Sequence, residues 1–82
     1  MSTLTLRIQR PFKQTELTIE WVSIEGPNGG FVVGPGHRSL ISAVSGSSSV
    51  TYKSGGSEQS IEVGEADGLV HVIDNIVILF LG

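Results

Sequence analysis

Residues 16–26 read Glu-Leu-Thr-Ile-Glu-Trp-Val-Ser-Ile-Glu-Gly. Leu17, Ile19 and Trp21 recur every second residue. Val22 then follows Trp21 directly, and the alternation resumes one position out of phase, through Ile24. A period of two is the mark of a half-buried strand, because successive side chains point to opposite faces. A phase shift in mid-run predicts either a bulge or a strand that passes from one sheet to another. The same rhythm precedes it. Leu4, Leu6 and Ile8 alternate with Thr5, Arg7 and Gln9 until Pro11 stops the run.

Downstream, Gly26-Pro27-Asn28-Gly29-Gly30 is a turn by composition. Phe31-Val32-Val33 is a short strand, broken by Gly34-Pro35-Gly36. Leu40, Ile41, Ala43 and Val44 are too few and too flanked by serine to read as a helix, and Gly46 to Ser49 is a small-residue loop. Val50-Thr51-Tyr52 is strand-like, Lys53 to Ser57 is a hairpin connection, and Ile61 and Val63 form the return strand. Gly64 to Gly68 is a polar break. Val70 and Val72 flank His71, and Asp74-Asn75 turns the chain into Ile76-Val77-Ile78-Leu79-Phe80-Leu81. That last run is apolar on both faces, so it belongs at the centre of a sheet or against a partner. The sum is an all-β chain, a small β-sandwich of about eight to ten short strands, with residues 1–82 as a single domain.

Composition narrows the function. Eighty-two residues hold one small core. Five Lys and Arg against eight Asp and Glu leave a net charge of −3, which disfavours a nucleic-acid partner bound through its phosphates. With no cysteine, disulfides and thiolate metal sites are excluded. The N-terminal ten residues hold no apolar block long enough for a signal peptide, and Ile76 to Leu81 is far short of a membrane helix, so no direct membrane insertion is expected.

The motifs for chemistry are weak. Gly29 to Gly34 has the glycine spacing of a phosphate loop, but Pro35 stands where lysine is required. Gly34 and Gly36 begin a dinucleotide fingerprint that Ser39 breaks. His37 and His71 are far apart, and Glu65, Asp67 and Asp74 fall on turns, so no metal or cofactor is expected. Eleven serines, among them Ser45, Ser47, Ser48 and Ser49, lack a nucleophile elbow, and Glu16, Glu20 and Glu25 read as the polar side of one strand region. No catalytic residue is expected. Trp21 and Phe80 read as core by their apolar neighbours, while Phe31, between turns, reads as exposed.

Residues 22–44, VSIEGPNGGFVVGPGHRSLISAV, resemble the N-terminal β-sandwich of the epsilon subunit of rotary F-type ATP synthases. That family carries a Gly-x-x-Gly-(Val/Ile)-x-Pro-x-His-x-Pro-Leu motif. Gly29, Val33, Pro35, Gly36, His37 and Leu40 stand at matching places, while Val32 and Ser39 depart from it. A later family segment, Val-x-x-Asn-x-Val-x-Val-Leu, is matched by Val72, Asn75, Val77 and Leu79. The family's glycine pair before this strand is replaced by Glu65-Ala66-Asp67-Gly68. Its members usually continue into a helical hairpin, so the resemblance implies a short form with the coupling role and not the braking role.

The resemblance implies a non-catalytic central-stalk part, peripheral on the cytoplasmic face of the membrane, that couples the gamma subunit to the c-ring during proton- or sodium-driven ATP synthesis. It implies a c-ring-facing loop at Gly29, Gly30 and Phe31, with Gly30 in place of an acidic residue. It also implies a gamma-facing side at His37 and Ser42, with Arg10 beside them. For His37 a local role in stapling its loop competes with a gamma contact. The reading from a different class is a free-standing small-ligand or carbohydrate-binding module, with Trp21 and Tyr52 as its aromatic platform.

Overall fold

The computed structural model describes residues 3–82. Nine strands follow one another: β1 Leu4–Arg10, β2 Lys13–Ile19, β3 Trp21–Gly26, β4 Gly29–Val33, β5 Leu40–Val44, β6 Ser49–Ser54, β7 Ser57–Glu62, β8 Gly68–Ile73 and β9 Ile76–Phe80. They form a five-stranded sheet, ordered β2-β1-β9-β8-β5, packed on a four-stranded sheet, ordered β4-β3-β6-β7. All pairs are antiparallel except β1 with β9. This is the sandwich the alternation predicts.

The phase shift at Trp21-Val22 is a change of sheet. Ile19 closes β2 in the five-stranded sheet, and β3 begins two residues later in the other one. Turning that corner flips which parity faces inward, so Ile19 and Val22 are both buried although they are three apart. The N–H of Glu20 donates to the carbonyl of Lys53 at 2.7 Å, and Ser54 Oγ donates to the carbonyl of Thr18 at 2.8 Å. The opposite flank is held where the N–H of Ser45 donates to the carbonyl of Glu25 at 2.8 Å. Both sides of the sandwich are thus tied across the sheets.

The inward faces supply the core: Leu4, Leu6 and Ile8 from β1, Val70 and Val72 from β8, Val77 and Leu79 from β9, and Val22, Ile24, Val33, Val50 and Tyr52 from the other sheet. β1 alternates buried and half-buried along its length, as its sequence does. The β6–β7 hairpin turns at Gly55-Gly56, both with positive φ, as a two-residue primed turn requires. Asp74-Asn75 makes the same turn between β8 and β9, with φ of 48° and 63°.

Leu40–Val44, which the sequence does not read as a helix, is a strand, β5, at the edge of the larger sheet. Three expectations change. Trp21 is half-buried, on the outward side of β3, and lies outside the core. Phe80 is 41% exposed, because it falls on the outward parity of β9. Phe31 is half-buried and packs against the core. For Trp21 and Phe80 the apolar neighbours in sequence lie on the other face of the strand and say nothing about the side of the sheet, and for Phe31 the flanking turns do not set its parity, which pairs it with buried Ile24.

Candidate functional site

β9 is the third strand of five, as its doubly apolar sequence predicts, and its two faces differ. Val77 and Leu79 point into the core, while Ile76, Ile78 and Phe80 point away from it. Register extends that outward stripe sideways. Ile41 of β5 lies opposite His71 of β8, His71 opposite Ile78 of β9, Ile78 opposite Arg7 of β1, and Arg7 opposite Glu16 of β2. In the flanking rows Leu69 pairs with Phe80, and Ile73 with Ile76. The outer face of this sheet therefore divides in two. The β1–β2 half is polar, with an Arg7–Glu16 ion pair of 3.0 Å. The β5–β8–β9 half is apolar around one histidine. Ile41 (67%), Leu69 (42%), Ile73 (39%) and Phe80 are all exposed there.

The outer face of an antiparallel sandwich is ordinarily polar. A contiguous apolar half-face of this kind is a candidate surface for a partner. Sequence reasoning found its β9 part but missed Ile41, Leu69 and Ile73. The signal was present: in Leu69-Val70-His71-Val72-Ile73 two of the three outward positions, Leu69 and Ile73, are large and apolar.

The segments that carried the resemblance meet at one end of the sandwich. Pro35 and Gly36 occupy the middle of a turn closed by the N–H of His37 donating to the carbonyl of Gly34 at 3.2 Å. Gly36 has φ 80°, which with proline before it makes a type II turn and requires glycine there. The N–H of Gly36 donates to Asn75 Oδ1 at 2.8 Å, and the N–H of Thr5 donates to the carbonyl of Asn75 at 2.9 Å. His37 Nδ1 donates to the carbonyl of Arg38 at 2.8 Å, a local staple. Val33 and Val77 are buried, and Leu40 packs against the core. Ser42 has the core-facing parity of β5, opposite Val70, and donates through Oγ to the carbonyl of Ala43 at 3.1 Å.

Gly29 and Gly30 lie at the other end, exposed, after the Pro27-Asn28 turn. A Cβ at Gly30 would stand 3.2 Å from Glu25 Oε1, because Glu25 is its cross-strand partner and its carboxylate lies over the glycine. The one carboxylate beside Gly30 at this edge is therefore that of its β3 neighbour Glu25. Phe31, set inward of this turn, is held by the core.

Arg10 is also at this end and does not lie beside His37. Its Nη1 donates to the main-chain oxygen of Gly82 at 2.9 Å and its Nη2 to the carbonyl of Glu62 at 3.0 Å. It closes β1, whose opposite end meets Asn75, so the length of β1 separates Arg10 from the His37 loop.

The polar groups hold turns. Asp67 Oδ1 accepts from the N–H of Gly46 at 2.7 Å, Ser48 Oγ donates to the carbonyl of Ser45, and Ser49 Oγ donates to Glu62 Oε1 at 3.0 Å. Tyr52 is buried and donates to Gln59 Oε1 at 3.3 Å, whereas Trp21 faces outward from the next strand. The two aromatics do not form a shared platform.

No protein-family model matches the chain, and no curated protein does. Among solved structures it is similar to a chain of the Euglena gracilis mitochondrial ATP synthase, in a structure of OSCP, F1 and c-ring in rotational state 1. The identity is 16% and the TM-score 0.88, over 99% of this chain and 51% of that one. It is also similar to a chain of the Tetrahymena thermophila mitochondrial ATP synthase, in a structure of the central stalk and c-ring, with 13% identity and a TM-score of 0.73 over 95% of this chain and 62% of that one. At these identities the likeness establishes the fold. The chain spans about half the length of the first of these relatives.

Proposed function

We propose that this sandwich is a non-catalytic part of the central stalk of an F-type ATP synthase, coupling the gamma subunit to the c-ring during ion-driven ATP synthesis. The observation that carries the reading is the match of nearly the whole chain, at a TM-score of 0.88, to a chain of an ATP synthase. The sequence resemblance points the same way, and the fold gives it a physical reason: Gly36 and Asn75, taken from its two separate segments, are hydrogen-bonded to each other.

The mechanism is mechanical. A part that transmits torque must bind two neighbours and not deform between them. Two sheets tied across both flanks, around a dry aliphatic core, form a stiff body with extents of 35 × 26 × 20 Å. The apolar half-face over β5, β8 and β9 is the surface we assign to gamma, with the His37 loop at its β5 side; Ser42, which has the core-facing parity of β5, joins that contact only where gamma wraps the β5 edge. Arg10 joins that contact only if gamma reaches along the whole of β1. The exposed turn Pro27 to Gly30, backed by Phe31, is the part we assign to the c-ring, with Glu25 supplying its charge. These two zones stand at opposite ends of β4 and its following turn, as a connector needs.

Such a part is peripheral to the membrane. Among the described residues no helix is long and apolar enough to cross one. The test is size-exclusion chromatography of the chain mixed with gamma at low micromolar concentration. Co-elution supports the reading, and independent elution overturns it.

A further inference from the structure

Four strands lie at sheet edges, β2 and β5 in the larger sheet and β4 and β7 in the smaller. An edge strand presents unpaired N–H and C=O groups that another chain can join, and folds usually guard it with charge, proline or cover. Two of these edges are guarded by charge. β2 carries Lys13 and Glu16, and β7 carries Glu58 and Glu62, with Arg10 Nη2 on the carbonyl of Glu62. The third, β5, is covered toward its C-terminal end. There the Ser42 hydroxyl takes the carbonyl of Ala43, and Gly26 of β3 packs so close that a Cβ on it would stand 3.6 Å from the same oxygen. β4, Gly29-Gly30-Phe31-Val32-Val33, has no charge, no proline and only β3 beside it.

Register decides which groups of β4 are free. Gly26 and Gly29 flank the two-residue Pro27-Asn28 turn and pair with each other, so they exchange both hydrogen bonds. Bonded and open pairs alternate along an antiparallel ladder. Phe31 and Val33 therefore bond to β3 as well, and the N–H and C=O of Gly30 and Val32 point to the open edge. Among the described residues no loop hydrogen bond reaches either of them. Val32 is 59% exposed on the outer face. Gly30 shares that face, and the Glu25 carboxylate lies over it, with Oε1 and Oε2 at 3.2 and 3.3 Å from the place of a Cβ. That carboxylate has no cation, because the one ion pair among the described residues is Arg7–Glu16.

We infer that the β4 edge takes an added antiparallel strand from a partner polypeptide, an extended segment with an apolar residue opposite Val32 and Lys or Arg opposite Gly30. Main-chain hydrogen bonds to Gly30 and Val32 hold such a segment, and its alternate side chains select it. Antiparallel addition continues this sheet, in which every pair is antiparallel, and sets the order apolar-x-basic from N- to C-terminus. Opposite charges on one face of a sheet attract. Gly30 stands between Glu25 and the incoming cation without a side chain, so the two can meet over it. A second copy of this chain is the poorer occupant, since its β4 would bring another acid and no cation. The inference does not depend on the rotor reading, and the half-face assigned to gamma belongs to the other sheet.

The test is a titration of the isotopically labelled chain with acetyl-Thr-Thr-Val-Thr-Lys-Thr-Thr-amide, up to millimolar peptide, followed by amide chemical shifts. The expected result is saturable shifts centred on residues 29–34. The same peptide N-methylated at its valine is expected to bind about tenfold more weakly or worse, for one lost hydrogen bond and the bulk of the methyl group. Glu25→Gln is expected to weaken the lysine peptide about two- to fivefold, as an exposed charge pair does, and to leave a norleucine counterpart unchanged. Val32→Pro removes a donor from the open edge and none from the β3 ladder, a place where edge strands accept proline, and is expected to abolish binding. The methylated peptide decides the same point on the native chain. Absence of saturable shifts, equal binding of the methylated peptide, or an equal response of the lysine and norleucine peptides to Glu25→Gln would overturn the inference. So would shifts at Gly30 and Val32 on concentrating the chain alone, which assign the edge to a second copy.

Discussion

The main-chain N–H of Gly36 donates to the side-chain carbonyl of Asn75 at 2.8 Å, across 39 positions of sequence. The bond joins the β4–β5 connection to the β8–β9 turn, and the carbonyl of Asn75 holds Thr5 of β1 as well. Asn75 also sits at φ 63°, a conformation that asparagine tolerates better than most residues. One residue therefore sets a turn, holds the β4–β5 connection through its side chain and holds β1 through its main-chain carbonyl. Asn75→Ala loses both the bond and the left-handed preference and is expected to cost about 1–3 kcal/mol. Asn75→Gly keeps the turn and is expected to cost less than the alanine variant. Urea denaturation of the two variants checks the order.

Gly36→Ala isolates the backbone term. A Cβ at Gly36 meets nothing within 4 Å, so the only penalty is its φ of 80°. The expected loss is about 1–2 kcal/mol. An unchanged denaturation midpoint would show that the loop relaxes out of the left-handed region.

Gly68→Ala tests close packing where β8 begins. A Cβ there would stand 2.7 Å from Leu81 Cδ2 and 2.8 Å from the carbonyl oxygen of Phe80. The side chain can swing away, but the carbonyl is part of the strand. Overpacking of this kind costs about 1–3 kcal/mol, and Leu81→Ala in the same chain is expected to recover only part of the loss.

Trp21 reports its own side of the sheet. Half-buried on the outward face of β3, it is expected to emit between the positions of buried and free tryptophan and to be quenched in part by acrylamide. A fully protected, blue-shifted emission would place it in the core instead.

The alternating strands were legible in the sequence because a period of two is a local signal. The phase shift at Trp21-Val22 held both a bulge and a sheet change open, and only tertiary pairing, Trp21 with Lys53 and Ile19 with Leu4, decides between them. Strand β5 was hard to read because Ser42 occupies a core-facing position at the sheet edge, where a small polar residue breaks the apolar pattern. Phe80 and Trp21 were misplaced because hydrophobicity gives burial only when the parity of the strand is known. The apolar half-face is spread over β5, β8 and β9, so no single segment displays it. The pairing of Arg10 with Lys13 was visible only once the β1–β2 register was fixed.

The apolar half-face is the part of the account that partner binding tests most directly. Phe80 and Leu69 face away from the core and pair with each other across β8 and β9, so Leu69→Gln with Phe80→Gln is expected to change stability by about 0.5 kcal/mol per site or less. The deciding measurement is gel-filtration co-elution of the gamma subunit with the native chain and with this double variant, at matched folding by circular dichroism. The account predicts a complex with the native chain and its loss in the variant. A complex of equal strength with both chains would contradict it.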